Sequence, residues 1–144
     1  MRFWDTSAIV PLVIEEPGTA LANGWIHEDS ELVVWTFTPV EIVSAMQRRV
    51  REGTLGERIA LAAEDLSIEL LEGAHEIAAI EPAKSLARRL LRTHPLRSAD
   101  ALQLAAALLW AEGSAAGSTF HTFDHRLGMA ARREGFHVTP EPTG

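Results

Sequence analysis

The chain contains no cysteine, and that absence excludes several kinds of chemistry. Disulfide bonds, thiolate nucleophiles and cysteine-containing zinc sites are all ruled out, so a metal ion could be held only by oxygen or imidazole ligands. Lysine is nearly absent. Of the 13 basic residues, Lys84 is the one lysine, and the others are arginines. Against 20 acidic residues this gives a net charge of −7, which argues against a simple electrostatic nucleic-acid binder, even though arginines cluster at 48–51 and 88–92.

Long apolar runs are missing as well. The sequence has no stretch of about eighteen uncharged apolar residues, and its N-terminus lacks a basic segment followed by an apolar run and a cleavage site. We therefore expect a soluble, cytoplasmic protein with no membrane segment. The length of 144 residues, with 47% hydrophobic and 23% charged residues, is sufficient for one globular domain spanning 1–144.

Short apolar, β-branched runs alternate with helical segments along the chain. The predicted strands lie at residues 3–5, 31–37, 74–80, 119–123 and 136–140. The first predicted helix, 6–16, is interrupted at Pro11; Thr38 caps the helix after the second strand, another helix starts at Pro82, and Ser98 caps the most apolar helix. Strands separated by helical crossovers predict a mostly parallel sheet of about five strands in a three-layer α/β/α sandwich, with ligands binding outside the carboxyl ends of the strands.

Carboxylates occur in the turns that connect predicted strands to the helices that follow them. Asp5 ends the first strand and Asp124 directly follows the fourth. Glu41 lies in the first turn of a helix that follows a strand, and Asp100 lies in the first turn of the helix capped by Ser98. Each has an ordinary structural interpretation, since aspartates cap helices, "TPVE" is a capping-box pattern, and Asp100 complements a helix dipole. Other helix starts manage without an acid in that position, which favours a shared site for the four.

Four converging carboxylates would need cations. Two like charges about 4 Å apart repel by roughly 4 kcal/mol at an effective dielectric near 20. Oxygen-only ligands are typical of Mg²⁺ or Mn²⁺ sites, and such ions activate water for in-line attack and stabilise the charge that develops on a phosphoryl group. The pattern therefore predicts a metal-assisted phosphodiester hydrolase.

Four stretches carry a resemblance to a known family. "FWDTSAIV", "TPVEIVSAMQRRVREGTL", "LRSADALQLAAAL" and "TFHTFDHRLGMAARREGF" resemble, in order, the four motifs of the PIN-domain family, and within it the VapC-type toxins of bacterial toxin–antitoxin systems. The fourth motif departs from many relatives, because His125, Arg126 and Leu127 follow the aspartate where a further acidic residue is common. The number of metal ions is therefore left open.

The resemblance implies a divalent-metal centre that cleaves RNA endonucleolytically. Asp5 and Asp100 would be the principal metal ligands, and Glu41 and Asp124 would complete the catalytic cluster directly or through water. The implied partners are an RNA substrate, a cognate antitoxin and a second copy of the chain in a homodimer.

Further residues are candidates around this centre. Ser7 or Thr6 would lend a hydroxyl to the site, and Thr122 would support Asp124. Arg97 precedes the Asp100 turn and could pair with the acids or meet the RNA backbone. His125 could touch a phosphate because it adjoins Asp124. The candidates near the second motif are the arginines at 48–51, with Arg48 as the one named for phosphate contact, against the alternative of a solvated helix face.

Three other functions are alternatives to the toxin. A PIN-domain nuclease could act in RNA processing outside a toxin–antitoxin pair. Receivers and haloacid-dehalogenase-like phosphatases share the carboxylate-edge layout, but they need a second aspartate beside the first or a lysine late in the chain. A catalytically silent PIN-like scaffold is disfavoured because all four acidic positions are retained. The four tryptophans fall in apolar runs, which favours core packing over base stacking. Among the other histidines, His121 and His137 fall in predicted strands, and His27, His75 and His94 lie near the ends of elements, where surface roles are expected.

Overall fold

Short strands and longer helices alternate in the computed structural model, which describes residues 1–141. The strands are Arg2–Trp4 (β1), Leu32–Trp35 (β2), His75–Ile77 (β3), Thr119–His121 (β4) and His137–Thr139 (β5). The helices are Thr6–Val13 (α1), Thr19–Glu28 (α2), Thr38–Arg51 (α3), Glu57–Glu72 (α4), Ile80–Thr93 (α5), Ser98–Ala111 (α6) and His125–Arg133 (α7), with a 3₁₀ turn at Ala115–Gly117.

The five strands form one sheet in the order β3-β2-β1-β4-β5, and every neighbouring pair is parallel. Strand β1 is central, with Phe3 opposite Val33 of β2 on one side and opposite Phe120 of β4 on the other. Because all strands run the same way, their carboxyl ends share one edge of the sheet. The predicted parallel sheet is confirmed.

The core lies on both faces of the sheet. Phe3 belongs to a buried cluster with α5, α6 and α7, whereas its neighbour Trp4 belongs to a second buried cluster with α1, α2, α3 and α4. Successive residues of a strand point to opposite faces, so this division follows directly from the pleat. The result is the predicted three-layer α/β/α sandwich.

Some local predictions were wrong. Pro11 does not interrupt α1, which continues to Val13. The helix predicted to start at Pro82 begins at Ile80, which leaves the proline in the first turn, where its missing amide hydrogen costs no helical bond. Thr38 and Ser98 are the first residues of their helices, and neither α3 nor α6 has a side-chain cap.

Two histidines are buried, and one of them, His94, was predicted to have a surface role. His94 is 5% exposed and its Nε2 lies 2.7 Å from Glu134 Oε2. His121 is fully buried and its ring stacks on Trp25. Three of the tryptophans are buried and Trp110 packs against the core, as predicted. None of the helices in residues 1–141 is long and apolar enough to cross a membrane.

Candidate active site

Asp5 is buried at the point where β1 ends, with 3% of its surface exposed. Its Oδ2 accepts hydrogen bonds from Ser7 Oγ at 2.5 Å, from the Ser7 amide at 3.2 Å and from Thr122 Oγ1 at 2.9 Å. The amide bond makes Asp5 the N-cap of α1, so the capping interpretation is correct. Three donors aimed at one oxygen fix the orientation of this carboxylate.

Asp124 is placed by the strand that neighbours β1. It caps α7, because the Leu127 amide donates to its Oδ1 at 2.8 Å, and its own amide donates to Thr122 Oγ1 at 3.0 Å. The Phe123 amide donates to Ser7 Oγ at 2.9 Å. The turns after β1 and β4 are therefore joined side by side.

Glu41 does not form the capping box that its sequence pattern suggests. Its amide donates to the Phe37 carbonyl at 3.1 Å, as in an ordinary first turn of a helix. Its carboxylate instead accepts a hydrogen bond from Gln103 Nε2, with Oε2 at 3.0 Å. A tertiary contact with α6 has taken the place of the local one.

Asp100 reaches the same edge on α6, although α6 follows a helix rather than a strand. It lies in the first turn of α6, partly buried, three residues after Arg97. The sequence placed this residue at the edge only by inference, and the structure places it there through the packing of α6 against the sheet.

The four carboxylates line one open cleft of about 600 Å³. Thr6, Ser7, Arg48 and Arg97 also line it. His125 does not: it is exposed in a neighbouring groove that meets the cleft at Phe123 and Asp124. The proposed hydroxyl role of Thr6 also differs, because its Oγ1 accepts from Gln103 and no hydrogen bond links it to Asp5 within residues 1–141.

The acids make one another harder to ionise. Burial raises the pKa of Glu41 to about 7, with the charges of Asp5 and Asp100 acting in the same direction and the Gln103 bond acting against them. Burial raises the pKa of Asp100 to about 6, helped by Asp124 and Asp5 and opposed by Arg97. Burial also raises the pKa of Asp5, in spite of its hydrogen bonds from Ser7 and Thr122.

The pKa shifts arise mainly from burial, and repulsion between the carboxylates adds to them. A divalent cation among the carboxylates would remove the repulsion, and oxygen-only donors suit a hard ion such as Mg²⁺ or Mn²⁺. Within residues 1–141, however, no three His, Asp or Glu side chains already stand close enough to form a ready-made ligand group. The donor chemistry still fits a divalent metal, because Mg²⁺ keeps several waters and typically needs only one or two carboxylates from the protein.

Two features of the cleft were missed from the sequence. Gln103 is fully buried beside Glu41, and its position one turn after Asp100 on an apolar helix was the available signal. Arg49 lines the cleft with Glu16, and the two form a salt bridge with Nη2 to Oε1 at 2.6 Å. No pattern in the sequence links these last two residues, which lie 33 positions apart.

Comparisons with known proteins agree with this architecture. The family model described as "PIN domain" matches residues 2–132. The ribonuclease VapC47 of Mycobacterium tuberculosis is 33% identical over 146 aligned residues, which cover 99% of this chain and 97% of that protein.

Two solved structures share the fold. The crystal structure of FitAcB from Neisseria gonorrhoeae has a TM-score of 0.62 at 15% identity and covers 96% of both chains. That of PAE2754 from Pyrobaculum aerophilum has a TM-score of 0.60 at 21% identity, covering 95% of this chain and 87% of the other.

Proposed function

This chain belongs to the PIN domain family, and we propose that it is a Mg²⁺- or Mn²⁺-dependent endoribonuclease acting in the cytoplasm as the toxin of a type II toxin–antitoxin system. The observation that carries the proposal is the set of four carboxylates, from four separate helix starts, that line one cleft at the carboxyl edge of a parallel sheet. The resemblance to a relative named as a ribonuclease supports RNA as the substrate.

The four acids have two kinds of role in the proposed reaction. Asp5 and Asp100 would hold the ion, with Glu41 and Asp124 completing its surroundings directly or through water. The bound ion would supply a nucleophilic water and charge neutralisation for in-line attack on a phosphodiester. Ser7 and Thr122 hold the Asp5 carboxylate in one orientation, so the principal ligand does not have to be ordered when the ion binds.

Cations at the rim of the cleft would bind the substrate. Arg48 and Arg97 are exposed and line the cleft, where a guanidinium can contact a phosphate through two donors. His125 lies in the adjoining groove and would contact a neighbouring phosphate of the same RNA strand. Electrostatic attraction to RNA would therefore come from these local cations and not from the net charge of the chain.

The toxin assignment rests on the family resemblance. It implies a cognate antitoxin that covers the acidic cleft, and a homodimer as the form of the toxin. A phosphoryl-transfer domain is not supported, because Lys84 pairs with Glu81 on an exposed face of α5 and does not line the cleft.

The proposal is tested first by RNA cleavage with Mg²⁺, with Mn²⁺ and with EDTA. Wild type is compared with Asp5→Asn and Asp100→Asn, which keep the shape of the side chain and remove its charge. We expect cleavage that needs the metal and is lost in both variants. Cleavage that persists in EDTA, or in both variants, would contradict the mechanism.

The biological role needs a second test. Induced expression should arrest growth, and co-expression of the small open reading frame next to the gene should relieve the arrest. A metal-dependent nuclease whose expression leaves growth unaffected would instead be a PIN nuclease of RNA processing. Sedimentation of the purified chain would test the homodimer.

A further inference from the structure

Gln103 is a fully buried glutamine on α6 whose amide contacts three residues on two other helices. Its Nε2 on α6 lies 3.1 Å from Thr6 Oγ1 on α1, 3.2 Å from Thr38 Oγ1 on α3 and 3.0 Å from Glu41 Oε2 on α3. These partners are 97, 65 and 62 positions away in the sequence. The amide therefore joins parts of the chain that no local interaction connects.

Each of these contacts adjoins a carboxylate of the cleft. Thr6 directly follows Asp5, Glu41 is itself one of the acids, and Gln103 lies one turn after Asp100 on the same side of α6. One amide group thus ties the second turn of α6 to the first turns of α1 and α3, and these three helices carry three of the four acids.

The strongest of the three contacts is the one to the acid. A primary amide has two hydrogens to share among three acceptors, and a carboxylate attracts a donor more strongly than a hydroxyl does. It is also the only side-chain hydrogen bond that Glu41 forms within residues 1–141. Without it, rotation of the Glu41 carboxylate would be limited only by packing.

Packing alone does not explain an amide at this position. Gln103 Oε1 is buried and has no hydrogen-bond partner among residues 1–141, while the residues that follow on α6, Leu104, Ala105 and Ala106, are apolar and fully buried. Methionine has a similar volume and would fill the space without leaving an acceptor unpaired. The donor side of the amide is therefore what distinguishes glutamine from an apolar residue here.

We propose that Gln103 is a positioning residue, which holds the Glu41 carboxylate at a fixed distance from Asp5 and Asp100 so that the cleft can bind its divalent ion. The inference rests on the proposed function and names a determinant of metal affinity in the same site. Outer partners that orient a ligand carboxylate typically contribute about ten- to a hundredfold to metal affinity.

The test compares Gln103→Met with Thr38→Val, using Mn²⁺ alone and calorimetry. Gln103→Met removes all three contacts, whereas Thr38→Val removes one acceptor from the same amide and leaves the contact with Glu41. The Kd for Mn²⁺ should rise about ten- to a hundredfold in Gln103→Met and stay within about threefold in Thr38→Val. Both variants disturb the same buried network, so a thermal melt of each separates metal affinity from stability.

Activity provides an independent measurement. The Mn²⁺ concentration that gives half-maximal cleavage should rise by the same factor in Gln103→Met, and cleavage should recover toward the wild-type rate at high Mn²⁺. In a Glu41→Gln background, Gln103→Met should change the Kd for Mn²⁺ little further, because the amide acts through that carboxylate. A full additional loss in that background would overturn the proposal.

The remaining outcomes are also decisive. A wild-type Kd in Gln103→Met, or an equal loss in Thr38→Val, would overturn the positioning role. If Gln103→Met does not fold, Gln103→Asn keeps a buried amide that is one methylene too short to reach all three partners, and the same two results decide. Wild-type protein that neither binds Mn²⁺ nor cleaves RNA would overturn both proposals; wild type that does both, alongside an unaffected variant, would overturn this one alone.

Discussion

Thr122 Oγ1 donates a hydrogen bond to Asp5 Oδ2 across 2.9 Å, although the two residues lie 117 positions apart in the chain. The contact exists because β1 and β4 are neighbours in the sheet and end at the same edge. The same hydroxyl oxygen accepts a hydrogen bond from the Asp124 amide at 3.0 Å. One threonine therefore aligns the two aspartates that follow the two strands.

Replacement of Thr122 by valine should lower both the rate of RNA cleavage and the stability of the fold. Thr122→Val keeps the β-branched shape and removes the hydroxyl, so Asp5 loses a donor and the Asp124 amide loses its acceptor. We expect cleavage to fall about ten- to a hundredfold and the free energy of unfolding to fall by about 1–3 kcal/mol. The control is Thr139→Val. Thr139 lies in β5, and its hydroxyl forms a hydrogen bond with His121 of β4 away from the cleft. Equal losses of kcat in the two variants would contradict the alignment role.

Replacement of Glu41 by glutamine should stabilise the metal-free protein at high pH. Burial, with the charges of Asp5 and Asp100, raises the pKa of Glu41 from its ordinary 4.5 to about 7 in the folded state. Between these values the folded protein retains a proton that the unfolded chain has released, so stability falls as the pH rises from 4.5 to about 7 and stays lower above that range. Glu41→Gln removes this effect while its amide oxygen can still accept from Gln103.

Glu41→Gln should raise the free energy of unfolding by about 1–2 kcal/mol at pH 8, after allowance for solvent screening, and change it little near pH 4. Thermal denaturation in EDTA at several pH values measures it, with Glu69→Gln on the exposed face of α4 as the control. Added Mn²⁺ should stabilise wild type more than Glu41→Gln, because the ion binds only the folded state. A variant less stable than wild type at pH 8 in EDTA would contradict the electrostatic account.

The two adjacent arginines of the cleft should respond differently to removal. Arg49 is paired with Glu16 and also donates to the Ala45 carbonyl at 3.0 Å, whereas Arg48 is exposed and forms no salt bridge with any residue in 1–141. Arg48→Ala should therefore raise KM for RNA several-fold and reduce the slope of log KM against log salt by about one. Arg49→Ala should mainly lower the melting temperature. A larger change in salt dependence for Arg49→Ala would reverse the assignment.

The architecture could be predicted because its determinants are local. Apolar runs of strand length alternate with helical segments, and a chain of that kind can bury its surface only as a parallel sheet covered on both faces. The adjacent residues Phe3 and Trp4 divide the core between those faces. The acids at the strand ends could be predicted from the same rule, because parallel strands end at one edge.

The interactions within the site could not be predicted in the same way. The pattern from Thr38 to Glu41 is a capping box in sequence, but Gln103 from α6 binds both side chains and replaces the local bond. A partner 62 positions away leaves no trace in the local pattern. His94 likewise looked like a surface residue at a helix end, and it is buried because Glu134 near the end of α7 pairs with it.

Gly18 and Gly24 form a matched pair for testing how the wall of the cleft is held. A Cβ at Gly18 would lie 2.7, 2.9 and 3.0 Å from three ring atoms of Phe123, and that ring also stacks on Trp25 with centroids 5.1 Å apart, which limits its freedom to move. Gly18→Ala should therefore cost about 1–3 kcal/mol in the free energy of unfolding. It should also lower cleavage, since Phe123 precedes Asp124 and lines the cleft.

Gly24→Ala is the control, because nothing lies within 4 Å of a Cβ at that position inside α2. Gly24→Ala should raise the free energy of unfolding by about 0.5–1 kcal/mol, because alanine has a higher helix propensity than glycine, and it should leave cleavage unchanged. Denaturant unfolding and RNA cleavage of both variants measure the difference. Gly18→Ala with wild-type stability and activity would mean that Phe123 can shift without disturbing Asp124, and that the contact with Gly18 does not position the acid.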